Sequence, residues 1–139
     1  VLHMMAEKGT YLVPTLAAYF KDYDKEEVLE SYGAVIVSFQ KALNRGVRMA
    51  MGPDTGCPFV GHGKTAMEVV HMAEAGMGAM NAIVAATANG AELLGIEDGY
   101  GTLEKGKVAD FLVLGGNPLE DIKALMNVEQ VYKKGRPVK

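Results

Sequence analysis

The residue types that could do chemistry are few. Asp54 sits in Met51-Gly52-Pro53-Asp54-Thr55-Gly56, just past the apolar run Val47-Arg48-Met49-Ala50-Met51. A carboxylate at that place has two readings. It can accept bonds from nearby backbone amides in an ordinary Pro-Asp-Thr-Gly turn, or it can act as a catalytic acid or base held at a strand tip. His62 lies in the same glycine-rich loop, where it can meet a substrate or cap the following helix. His71, between Val70 and Met72, reads as a packed or surface side chain, and His3 belongs to the first helical turns. The three histidines show no H-x-H or H-E-x-x-H spacing. Cys57 has no activating neighbour in sequence, and Gly99-Tyr100-Gly101 lacks the third glycine and helix start of a dinucleotide fingerprint.

These residues need elements to position them. Val1–Gly9 reads as the last turns of a helix stopped by glycine, so the chain is expected to be part of something longer. Thr10–Leu16 is β-branched and aromatic and predicts a strand that ends near Pro14. Residues 17–24 read as a loop. Asp24 and Glu27 have a spacing close to a capping box, and the apolar positions from Val28 to Leu43 predict a helix of about five turns, ended by Gly46. Val47–Met51 is the next strand. Lys64–Ala75 and Ala79–Leu94 predict two more helices, closed by Gly76 and Gly95, the second alanine-rich and closely packed. Methionines 67, 72, 77 and 80 read as flexible core filler. A turn-rich stretch leads to a strand over Val108–Leu114, then the breaker Gly115-Gly116-Asn117-Pro118, then a hairpin over Asn127–Lys139 turning at Lys134-Gly135.

The first part alternates strand and helix as parallel-sheet proteins do, and the last forty or so residues read as a separate small β unit. Two β-α units cannot close a barrel or cover both faces of a parallel sheet.

Composition narrows the function class. The 139 residues are 49% hydrophobic and 22% charged, which suits a globular domain. A formal charge of −3 with scattered basic residues argues against nucleic acid. No apolar run approaches the roughly 18–20 residues of a membrane span. One cysteine rules out an intramolecular disulfide and suits a reducing, cytoplasmic setting.

Several segments, in order, resemble the C-terminal part of the amidohydrolase superfamily, most closely its imidazolonepropionase-like and Xaa-Pro dipeptidase-like branch. Glu7–Leu16 resembles the seventh barrel strand of that family and Gly46–Gly56 the eighth. Glu74–Met77 and Ala85–Gly95 resemble the helices that follow. Gly101–Asp110 and Gly116–Ile122 resemble the re-entry into a small β domain.

The resemblance implies an α/β fold: residues 1–97 as the last two strands and helices of a (β/α)8 barrel, and 98–139 as strands of a β-sandwich. It implies hydrolysis of amide, peptide or cyclic amide C–N bonds by metal-activated water. The cofactor is one or two divalent metals, zinc first among them, with the other ligands upstream of Val1. Asp54 is then metal ligand and proton carrier, and Pro53 stands where the family usually has threonine. His62 and Tyr19, each following one of the two strands, become substrate contacts. The expected partners are a small-molecule or dipeptide substrate and further copies of the chain. The 139 residues alone are expected to be inactive, with exposed apolar surface on Val47–Met51 and on the helix at 28–43. A non-catalytic binding or scaffold module on the same fold is the alternative, as is an unrelated α/β domain in which Asp54 is only a turn.

Overall fold

The computed structural model describes residues 1–19, 26–57 and 60–138, with 26–31 by backbone alone. The Asp24–Glu27 capping box lies outside the described side chains. The elements in order are α1 (Leu2–Glu7), β1 (Tyr11–Leu12), a 3-10 turn (Leu16–Tyr19), α2 (Glu26–Leu43), β2 (Arg48–Met49), α3 (Ala66–Met72) and α4 (Ala79–Ala86). Then come α5 (Ala88–Leu94), β3 (Phe111–Leu114), a second 3-10 turn (Ile122–Met126), β4 (Val128–Lys133) and β5 (Arg136–Pro137). The fold is α/β.

Helix ends fall where left-handed glycines were expected. Gly9 (φ 64°), Gly46 (φ 69°) and Gly95 (φ 68°) follow α1, α2 and α5, positions where a Cβ would crowd the backbone. The stretch after α3 differs in detail. It widens into a π turn over Ala73–Met77 and breaks within it at Gly76, φ 112°.

The predicted Ala79–Leu94 helix is two helices. Thr87 leaves helical geometry at φ −124°, ψ −87°, and its Oγ1 donates to the Ile83 carbonyl at 2.7 Å. Such back-bonding competes with the helical ladder. Both predicted N-terminal strands are shorter than expected, and Leu16 is in the 3-10 turn instead.

Among the described residues the strands form two sheets. β1 and β2 are parallel, with Tyr11 opposite Arg48 and Leu12 opposite Met49. β3, β4 and β5 are antiparallel in that order. The β4–β5 hairpin turns through Lys134 (φ 50°) and Gly135 (φ 73°), both left-handed as a tight two-residue turn requires. Asp110 fixes that turn by accepting the Lys134 N–H at 2.7 Å, and the Phe111 and Tyr132 rings stack across β3 and β4 at 4.4 Å.

The core gathers around β2. Phe39 and Ala42 of α2, Val69 and Met72 of α3, and Ala82 and Ala85 of α4 pack with Leu16, Val47 and Met49. Ala82 and Ala85 are fully buried, so α4 approaches closely, as its alanine content predicts. Truncating Phe39, 2% exposed, to alanine costs about 3–5 kcal/mol by the usual cavity relation.

Exposed apolar surface on Val47–Met51 is not found. Val47, Met49 and Ala50 are buried, because α3 and α4 contribute to the same core. Met72 and Met77 are core filler as expected, whereas Met80 is exposed. Ile122 and Leu125 of the second 3-10 turn pack on the edge of this core, which joins the C-terminal β unit to the helices.

Candidate active site

The parallel pairing of β1 and β2 sends the chain out of both strands on one side. The Ala50 N–H donates to the Leu12 carbonyl at 3.1 Å, extending the pairing past the last strand residue. Beyond it the two paths press together. A Cβ on Gly52 would lie 2.7 Å from Val13 Cγ1, so a bare Cα is required there. Pro53 and Asp54 follow. Asp54 has φ 55°, the left-handed region that only Asp, Asn and Gly visit readily. Its carbonyl accepts the Cys57 N–H at 3.2 Å. Gly56 donates to the Val60 carbonyl, and Val60 donates to that of Cys57, both at 3.1 Å. The loop is thus tied by its own backbone, and the Asp54 side chain is exposed. The left-handed conformation is one an aspartate adopts at little cost, so it fixes where the Asp54 side chain leaves the loop without marking strain.

The path out of β1 carries a second such residue. Thr15 has φ 49°, an outlier for a β-branched side chain. The turn Leu16–Tyr19 follows it and is held from a distance. The two oxygens of Glu68, on α3, accept the N–H groups of Leu16 at 2.9 Å and Ala17 at 2.6 Å. Glu68 is fully buried. Burial pushes its carboxyl above the usual glutamate range, and the two backbone bonds partly offset this.

The sequence did carry a signal for Glu68. It occupies the stripe of Met72 and Ala75, both buried, and an acid on an apolar stripe needs a partner.

Of the candidate residues, Asp54 and His62 lie in one loop and Tyr19 ends the neighbouring turn. All three are exposed, Tyr19 at 44%. No hydrogen bond or ion pair among the described residues joins them. His62 lies in the short turn closed by the Lys64 N–H to the Gly61 carbonyl at 3.3 Å, just before α3. His71 is packed inside α3, where burial pushes its pKa down while Glu74 partly opposes this. His3 pairs with Glu7 at 3.3 Å on the exposed face of α1. Cys57 is a half-buried free thiol.

Among the described residues no three His, Cys, Asp or Glu side chains are grouped so as to hold a metal. A catalytic zinc takes about three protein ligands, so Asp54 fits at most as one of a larger set.

The strand ends away from this site carry a different cluster. Arg48 lies over the Tyr11 ring, 4.4 Å from its centroid, and pairs with Glu92 of α5. The Arg48 guanidinium holds the Glu92 carboxyl below its usual range. Asn89 Nδ2 donates to the Met49 carbonyl at 2.8 Å, and the Met51 N–H donates to the Ala85 carbonyl at 3.0 Å. The α4–α5 break therefore supplies partners to backbone groups of the β2 segment.

Comparison with known proteins gives a consistent picture. The Amidohydrolase family model matches residues 1–138. Ochratoxinase of Aspergillus niger is 33% identical over 151 residues, covering 98% of this chain and 31% of that protein. The crystal structure of a Xaa-Pro dipeptidase with bound methionine in the active site matches with a TM-score of 0.83 and 39% identity. It covers 99% of this chain and 36% of the other. The crystal structure of A. niger ochratoxinase matches at 0.79 with 31% identity, over 99% and 34% of the two chains. The chain spans about a third of the length of these relatives. With the family model matching nearly its whole length, the chain belongs to the amidohydrolase family.

Proposed function

We propose that this chain is the C-terminal part of a hydrolase of amide C–N bonds, with Xaa-Pro dipeptides as the first substrate class to test. In this reading residues 1–97 are the last β-α units of a (β/α)8 barrel and 98–139 are strands of its small β-sandwich. The observation that carries the reading is Asp54: an exposed carboxylate at a left-handed φ, past the C-terminal end of a parallel strand, in a chain of this family. Reactive groups of parallel β-α barrels come from that end of the strands.

The chemistry assigned to this chain is proton movement. Amide hydrolysis needs a base to take a proton from attacking water and an acid to protonate the leaving nitrogen. One carboxylate does both in turn when it stands between the water and that nitrogen. Asp54 is short, exposed and held by a loop with its own backbone bonds, which suits it to stay in place between the two transfers. His62 and Tyr19 border the same side and are assigned to substrate.

Members of this family are generally metal-dependent, and a bound divalent metal acidifies water and polarises a carbonyl. Among the described residues no group of three or more His, Cys, Asp or Glu could hold it, so Asp54 would serve as one ligand of a larger set.

The test is hydrolysis by the whole protein to which this chain belongs. Release of free proline from Xaa-Pro dipeptides supports the reading. Cleavage of an ochratoxin but of no dipeptide moves the substrate and keeps the reaction class. Binding of either without cleavage favours a non-catalytic module.

A further inference from the structure

The carboxylate of Glu68 is used in an unusual way. A short helical turn normally has its first N–H groups capped by the residue just before it. Here that residue is Thr15, whose φ of 49° takes it out of the extended conformation of a cap. The work falls to a side chain about fifty residues further along. Each Glu68 oxygen takes one N–H, from Leu16 at 2.9 Å and from Ala17 at 2.6 Å. Two bonds from one rigid group fix orientation as well as position. Glu68 is fully buried, and so is Leu16 beside it, so water does not compete for either bond.

The place of Glu68 in the chain matters equally. α3 starts directly after the loop that carries Asp54 and His62. Its first turn is built by Met67 N–H to Lys64 O at 3.0 Å and Glu68 N–H to Thr65 O at 3.2 Å. Glu68 is thus covalently close to one loop and hydrogen-bonded to the other. The Gly52–Val13 contact fixes the same two paths to each other nearer the strands.

We propose that Glu68 is a positioning residue: its buried carboxylate locks the turn Leu16–Tyr19 to the start of α3 and so sets where Tyr19 meets the substrate. This rests on the hydrolase reading for its catalytic consequence, while the lock itself does not.

The experiment combines kinetics with amide exchange in the whole protein. Glu68→Gln keeps the shape but turns one acceptor into a donor facing an N–H. It is expected to raise KM for a Xaa-Pro dipeptide about tenfold, with kcat changing less than about threefold. Tyr19→Ala is expected to raise KM similarly. The double variant is expected to be no worse than about twofold beyond the worse single one, because both act on one contact. Leu16 and Ala17 amides are expected to exchange at least about tenfold faster in Glu68→Gln, as their bonds open.

Additive effects on KM, a fall in kcat with KM unchanged, or unaltered exchange at Leu16 and Ala17 would overturn the proposal. If the unmodified protein cleaves no amide, the hydrolase reading fails, and the exchange rates still decide the lock. If Glu68→Gln does not fold, the unmodified protein decides: slow exchange at both amides supports the lock, and exchange at free-peptide rates sinks it.

Discussion

At the scale of single residues, two carboxylates do opposite things. Asp54 is exposed on a loop and available to a ligand, whereas Glu68 is spent on backbone N–H groups. Removing Glu68 leaves two buried donors without an acceptor and a cavity besides. Glu68→Ala is therefore expected to destabilise the protein by about 2–4 kcal/mol, read from denaturant unfolding.

His71 makes a pH prediction. Burial holds its folded pKa below 6.5, so just below that pH the unfolded chain binds the proton more readily. Its contribution to stability is complete above pH 6.5 and is lost as pH falls through the lowered folded value. Glu68, with its folded pKa raised above 4.5, acts in the other direction, losing stability as pH rises from 4.5 through the folded value. The two windows can overlap, so the check is a difference. Melting temperatures of the unmodified protein and of His71→Gln, compared between pH 7 and pH 5, should show a steeper loss on acidification in the unmodified protein.

At the scale of elements, Gly52 sets the approach of the two strand exits. Gly52→Ala would place a methyl 2.7 Å from Val13 Cγ1, too close for any real contact. It is expected to cost about 1–3 kcal/mol, with Val13→Ala in the same chain recovering part of it, as a double-mutant cycle in urea would show.

What was legible here followed from local rules. The ends of α1, α2 and α5 were read at Gly9, Gly46 and Gly95 because a left-handed stop needs only its own residue. The hairpin was read for the same reason, at Lys134-Gly135. The break at Thr87 was not read, since Ala79–Leu94 carries no proline and its one glycine, Gly90, is not at the break. That break goes with tertiary bonds from Ala85 and Asn89 to the β2 segment. The strands were read too long because strand character ends where a partner ends, and a sequence does not print its partners. The 3-10 turn Ile122–Met126 was missed although Asp121 caps it by accepting the Lys123 N–H at 2.9 Å, a signal that was present.

At the scale of the whole molecule, family membership was legible from motifs spread over the chain, and the comparisons bear it out. Asp54 was singled out by its place after an apolar run. The structure adds its left-handed backbone, which no spacing rule reveals. Glu68 shows in the sequence only as an acid on an apolar stripe, and its partners, Leu16 and Ala17, are far away along the chain. The proposed metal dependence belongs to this scale too, since Asp54 is at most one ligand. Dialysis of the whole protein against a chelator is expected to remove amide hydrolysis, and a divalent metal, zinc first, is expected to restore it.

Asp54 is proposed to move the proton in amide hydrolysis. The most direct measurement is kcat of Asp54→Asn in the whole protein on the best Xaa-Pro dipeptide. Asparagine tolerates the left-handed backbone, so the loop is kept while the base is lost. With Asp54 as the proton carrier, kcat is expected to fall about 100- to 10,000-fold with an unchanged melting temperature. A kcat within about threefold of the unmodified enzyme, far less than loss of a general base would cause, would contradict it and leave Asp54 as a turn residue.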